Sequence, residues 1–210
     1  MFVKLCGFTR EEDLAAAAEF PVSAAGFVFH PASPRFVSAQ RAGVLARVLD
    51  GTGILRVGVF TGTDADGIAR LAESARLDFA QVYDRATAEK LRERIRIIDA
   101  HRLRDAADLA SVRAPVDDDL LLLDRYDELS GGGTGKSFDW GALCGFMHVK
   151  KTIIAGGINA ANVERLFTAA RPFGIDVSSG IEDAPGIKSK EKIRQLFDAL
   201  SEVYHEKHAR

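Results

Sequence analysis

Cys6 ends the apolar run FVKLC in this 210-residue chain and precedes Gly7, and its type suits proton chemistry. A thiolate accepts a proton from carbon when its neighbours tune its pKa, and the glycine lets a ligand approach the backbone closely. Free cysteine is also among the most buried residue types, so a packing role competes on position alone. Asp124 closes the run DLLLLD. Burial beside leucines raises a carboxyl pKa and keeps a proton ready for a general acid, while capping of the next turn is the competing role.

Other polar groups could grip the ends of a small anionic substrate. AGGIN supplies Gly156 and Gly157, and SSG supplies Ser178, Ser179 and Gly180. Exposed backbone N–H groups in such turns, with a helix start behind them, suit a dianionic phosphate. Arg35 in HPASPRFVS has the planar fork that holds a carboxylate at two points, although a surface arginine in a proline-braced turn is the commoner case. Gln81 and Asp176 stand near the ends of apolar runs, where they could bond sugar hydroxyls or serve structure only. GGGTGKSFDW is not a Walker loop, because Ser130 stands where that pattern needs a glycine. Gly132, Gly133, Gly135 and Lys136 read either as a plain linker or as a mobile lid that excludes water and brings a positive charge.

The elements that must carry these residues alternate. FVKLC, AAGFVF, ILRVGVF, DFAQVY, IRIID, DLLLLD, KTIIAG and GIDVSS are short and nearly continuous in apolar character, as strands buried on both faces require. Between them EEDLAAAAEF, SAQRAGVLARVL, DADGIARLAESA, NAANVERLFTAA and KSKEKIRQLFDAL have helical spacing and polar openings suited to N-caps. Eight strand-helix alternations predict a single-domain (β/α)₈ TIM barrel over residues 1–204, with a polar tail at 205–210; an open doubly wound sheet is the competing arrangement. In a barrel, chemistry gathers at the carboxyl ends of the strands and phosphate sites follow strands seven and eight.

Composition narrows the classes. With 47% hydrophobic and 28% charged residues the chain is neither disordered nor membrane-like, and a net charge of -2 argues against nucleic-acid binding. Acidic residues follow the first apolar run too soon for a signal peptide, and no stretch is long enough to span a bilayer. A cytoplasmic protein, monomeric by default, is the expectation. Cys6 and Cys144 have neither disulfide-framework nor zinc-site spacing, so no metal is called for.

Across nearly its whole length the sequence resembles the phosphoribosylanthranilate isomerase family. The resemblance rests on KLCGFTR, GFVFHPASPRFVS, RVGVF, GGGTGKSFDW, AGGIN and DVSSGIEDAPGIKS, in that order and spacing. It implies an isomerase of tryptophan biosynthesis that interconverts an aldose and a ketose by an Amadori rearrangement, without redox cofactor or metal. It places the general base on Cys6, the general acid on Asp124, the anthranilate-binding arginine on Arg35 and sugar contacts on Gln81 and Asp176. The phosphate turns fall on Gly156, Gly157, Ser178, Ser179 and Gly180. One segment departs from the pattern: after its strand-four glutamine the family continues Leu-His-Gly and an acidic residue, whereas this chain reads Gln81-Val82-Tyr83-Asp84-Arg85. Two rivals remain at this point. One is an aminoaldose isomerase for the related bis-phosphorylated substrate of histidine synthesis, against which Cys6 argues. The other is a catalytically silent phosphosugar-binding barrel.

Overall fold

The computed structural model describes residues 1–116, 118–125, 140–146, 148 and 151–208. Its eight parallel strands are β1 (Phe2–Cys6), β2 (Ala24–Val28), β3 (Leu55–Phe60), β4 (Phe79–Val82), β5 (Arg96–Leu103), β6 (Leu120–Arg125), β7 (Thr152–Ile154) and β8 (Gly174–Val177). They form a closed barrel in chain order, sealed where β1 pairs with β8 and Lys4 lies opposite Asp176. Closure removes both sheet edges, which an open doubly wound sheet would leave exposed.

Period-two alternation divides each strand between two cores. Outward residues such as Leu5, Phe27, Ile97, Leu121 and Ile175 pack beneath the helices, while inward residues such as Val57, Phe79, Ile98, Leu122 and Ile153 fill the barrel interior. Burying each large apolar side chain contributes about 1.5–3 kcal/mol. Because both faces are covered, the strands lack polar alternation, which explains the continuous apolar runs.

The helices are α1 (Glu11–Ala17), α2 (Ala39–Val48), α3 (Ala65–Ser74), α4 (Arg85–Leu91), α5 (Val163–Ala169) and α6 (Lys190–His208). Side chains of Ser38, Asp64 and Asp84 accept from the backbone N–H groups of Arg41, Gly67 and Thr87, capping α2, α3 and α4. The helical backbone of α6 continues through His208. None of the described helices is long and apolar enough to cross a membrane.

The repeat departs from eight full alternations in two places. After β5 the chain makes a 3₁₀ segment, Ala106–Ser111, capped by Asp105, and Pro115 lies just beyond it. After β6 the described helical residues are again a 3₁₀ turn, Trp140–Leu143. An unexpected addition follows β8: a 3₁₀ turn, Ser179–Ile181, then an antiparallel hairpin of β9 (Glu182–Ala184) and β10 (Ile187–Lys188). Gly186 makes the hairpin turn with φ +81°, a left-handed conformation that suits glycine. The hairpin is tied back to the first βα unit, because Thr9 Oγ1 donates to the Gly186 carbonyl at 2.6 Å and the Lys188 N–H to Asp13 Oδ2 at 2.9 Å.

Candidate active site

The strand register that fills the interior with apolar side chains lower down places polar ones at the carboxyl end. Cys6 shares the inward face of β1 with Lys4, Asp124 that of β6 with Leu122, and Gln81 that of β4 with Phe79. Asp176 is inward on β8 because its neighbours Ile175 and Val177 both belong to the outer core. The barrel therefore brings Cys6, Gln81, Asp124 and Asp176 to one mouth.

Cys6 is 8% exposed. Burial pushes its thiol above the ordinary range, while the Lys4 and Lys188 ammonium groups pull it down. Lys4 itself is fully buried and donates to Asp176 Oδ2 at 2.7 Å. Desolvation works against its charge, but Asp176 and Cys6 outweigh that and hold its pKa above the usual lysine value. The thiol has no room to spare on its β2 side, since a Cβ at Gly26 would fall 2.7 Å from Sγ.

Asp124 stands beside an apolar wall that includes Leu103, Leu123, Leu143 and Ile154. Burial, reinforced by the Asp176 carboxylate, lifts its pKa to about 6. Opposing this, the Tyr83 hydroxyl lies 3.2 Å from Asp124 Oδ2 and in turn accepts from Gln81 Nε2 at 3.0 Å. Two acceptor atoms in this group, Gln81 Oε1 and Asp176 Oδ1, are buried and have no hydrogen-bond partner among the described residues. Buried acceptors without donors are costly in a finished fold, and ligand hydroxyls would satisfy both.

The two glycine turns meet. Gly156 and Gly157 adopt φ +96° and +68°, and a Cβ at Gly180 would fall 2.0 Å from the Ile158 carbonyl oxygen. Glycine at 180 thus lets the turn after β8 lie directly on the turn after β7. Asn162 braces the latter, donating from Nδ2 to the Gly157 carbonyl at 2.9 Å and accepting from the Asn159 N–H at 2.9 Å.

Arg35 reaches the mouth over Gly7, where a Cβ would lie 2.5 Å from its Cδ. Most of its fork is already engaged: Nε and Nη2 meet Glu182 Oε1 and Oε2 at 2.9 and 2.5 Å. Nη1 makes no hydrogen bond among the described residues, which leaves one edge of the guanidinium for a ligand. Glu182 also accepts from Lys188 Nζ at 2.7 Å, and Lys188 donates to the Cys6 carbonyl. Burial raises the Glu182 carboxyl, but the two cations outweigh it and hold its pKa low.

Gly132, Gly133, Gly135 and Lys136, read above as a lid, lie outside the described residues. Sequence reasoning missed Lys4, Tyr83, Glu182 and Lys188. A lysine inside FVKLC was a visible signal for the first, and the altered segment after Gln81 for the second; the other two stood within the DVSSGIEDAPGIKS motif, but nothing local marked them as a buried ion pair.

A family model described as N-(5'phosphoribosyl)anthranilate (PRA) isomerase matches residues 3–199. The N-(5'-phosphoribosyl)anthranilate isomerase of Rubrobacter xylanophilus is 39% identical over 202 residues, covering 94% of this chain and 97% of that protein. The crystal structure of phosphoribosyl anthranilate isomerase from Thermotoga maritima superposes with a TM-score of 0.85 at 30% identity, covering 96% and 99% of the two chains. A phosphoribosyl anthranilate isomerase in complex with reduced 1-(o-carboxyphenylamino)-1-deoxyribulose 5-phosphate superposes with a TM-score of 0.80 at 28% identity, covering 96% and 99%.

Proposed function

Because the chain belongs to the N-(5'-phosphoribosyl)anthranilate isomerase family, we propose that its barrel mouth performs that isomerisation, with Cys6 as general base and Asp124 as general acid. The observation that carries the reading is Asp124: an inward carboxyl at a strand end, lifted by burial to about 6, retains a useful fraction of protonated acid near neutral pH. Cys6 shares the mouth and supplies a group able to take a proton from carbon.

The substrate is an N-glycosidic aminoaldose carrying a phosphate and a carboxylate. Gly156, Gly157, Ser178, Ser179 and Gly180 hold the phosphate through backbone donors, and the open edge of Arg35 meets the anthranilate carboxylate. Gln81 Oε1 and Asp176 Oδ1, acceptors without donors among the described residues, take the sugar hydroxyls. Fixing both ends of the substrate orients C2′ against the thiol.

Asp124 protonates the furanose oxygen and the ring opens to a Schiff base. Its positive nitrogen acidifies the C2′ hydrogen, which the Cys6 thiolate removes. The enolamine then tautomerises to 1-(2-carboxyphenylamino)-1-deoxyribulose 5-phosphate, with no net change in atoms or electrons. Each proton-transfer group contributes about 10²–10⁴ in rate. Burial favours the proton on sulfur, so Lys4 and Lys188 matter as the charges that favour the thiolate. One chain carries every group named, so a monomer suffices, and a working thiolate fits the reducing cytoplasm.

Turnover of freshly prepared N-(5-phosphoribosyl)anthranilate, followed by loss of its fluorescence, tests the assignment. Activity that disappears in both Cys6→Ser and Asp124→Asn supports it; no activity in the parent chain at any pH from 6 to 9 rejects it.

A further inference from the structure

Tyr83 directly follows β4, packs against the barrel interior and belongs to the segment that departs from the family pattern. We propose that Tyr83 is a positioning residue for the general acid: its hydroxyl occupies Asp124 Oδ2 and so assigns the transferable proton to Oδ1. This deepens the role given to Asp124 and rests on it. The direction of the hydrogen bonds carries the inference. A phenol has one proton to give, and Gln81 Nε2 donates into its oxygen at 3.0 Å, which leaves the Tyr83 proton for Asp124 Oδ2 at 3.2 Å. Reversing the Gln81 amide would satisfy its Oε1 with the phenol proton, but would leave the ionised Asp124 Oδ2 without its hydrogen-bond donor.

With Oδ2 receiving that proton, the carboxyl can carry its own only on Oδ1, which makes no hydrogen bond among the described residues. The ring has little freedom to give up the arrangement. It packs on the interior cluster, and the Arg102 guanidinium lies over the ring with Cζ 4.5 Å from its centroid. Burial and the Asp124 charge push the phenol pKa well above its usual value, so Tyr83 remains a donor throughout the working range. Among the described residues, the charged and titratable groups facing Asp124 are Tyr83 directly after β4, Arg102 from β5, Lys4 from β1 and Asp176 from β8. Of these only Tyr83 touches it by hydrogen bond.

The test titrates the Asp124 carboxyl by carbon-13 NMR in aspartate-labelled protein, with its resonance assigned by loss in Asp124→Asn. It compares the parent, Tyr83→Phe and a chain with 3-fluorotyrosine placed at position 83. Losing the donor should raise the Asp124 pKa by about one unit, and the more acidic fluorophenol should lower it. The limb of the kcat/KM profile that follows Asp124 should move in the same two directions, with KM nearly constant. Identical titration in all three proteins would overturn the proposal. Because the NMR titration needs no turnover, it decides the Tyr83 question even if the isomerase reading fails, whereas the fluorescence assay on the parent chain decides that reading separately. If the Phe variant folds poorly, the fluorotyrosine comparison, which keeps every heavy atom of the phenol, still gives the answer.

Discussion

Replacing Asp124 by asparagine should abolish turnover and make the protein more stable, with a gain that depends on pH in a defined way. The folded carboxyl titrates at about 6 against an ordinary 3.8. Below about pH 3.8 both folded and unfolded chains hold the proton, and ionisation at this site costs nothing. Between 3.8 and 6 the unfolded chain releases its proton first, so stability falls by about 1.4 kcal/mol per pH unit. Above 6 the penalty is constant, at most about 3 kcal/mol and nearer 2 once water at the mouth is allowed for. Asparagine keeps the shape and still accepts from Tyr83, yet never ionises. Urea unfolding from pH 4 to 8 should show the two proteins within about 0.5 kcal/mol at pH 4 and the variant ahead by about 2–3 kcal/mol at pH 8, roughly 5–10 °C in Tm. A stability difference that is flat across this range would refute the argument, since the penalty would then not come from a buried carboxylate. A variant that kept near-parental kcat would separately remove Asp124 from the chemistry.

Three further outcomes follow from contacts described above. Cys6→Ser should keep the fold and bind substrate while kcat falls by about 10²-fold or more, because a hydroxyl is a far weaker base, as steady-state kinetics would show. Arg35→Ala should weaken substrate binding while inorganic phosphate, titrated by calorimetry, binds as before. It should also cost about 2 kcal/mol in urea unfolding, because Glu182 loses one of its two cations. Gly180→Ala should loosen phosphate and substrate together, since the new Cβ would meet the Ile158 carbonyl oxygen at 2.0 Å and force the two turns apart.

Strand positions were legible because a strand covered on both faces leaves a continuous apolar run, and a residue such as Cys6 or Asp124 at the end of one stands out against it. The helical connections were less so. Between β5 and β6, RDAADLASVRAP has helix-forming residues, yet the structure makes only a 3₁₀ segment there. The pairing within the cation network was not legible: Arg35 stood out and Glu182 lay in a quoted motif, but they are 147 residues apart, and nothing local marks Glu182 as a buried acid. Tyr83 falls between these cases. Its segment was visibly unusual, but its pairing with Asp124 depends on how β4, β5 and β6 register against each other, which no stretch of sequence states.

The pairing of Lys4 with Asp176 joins residues 172 positions apart, and it is also the seam that closes the barrel. A ribosome adding about 5–20 residues per second needs roughly ten to thirty seconds to cover that distance. Throughout that interval the first strand has no eighth strand to pair with, and its lysine has no counter-charge. The seam of the barrel therefore closes last, and Cys6 becomes part of a complete site only when β8 arrives. A chain arrested during synthesis before Asp176 would present an unpaired strand edge and an unneutralised charge, the kind of surface that chaperones and proteases recognise.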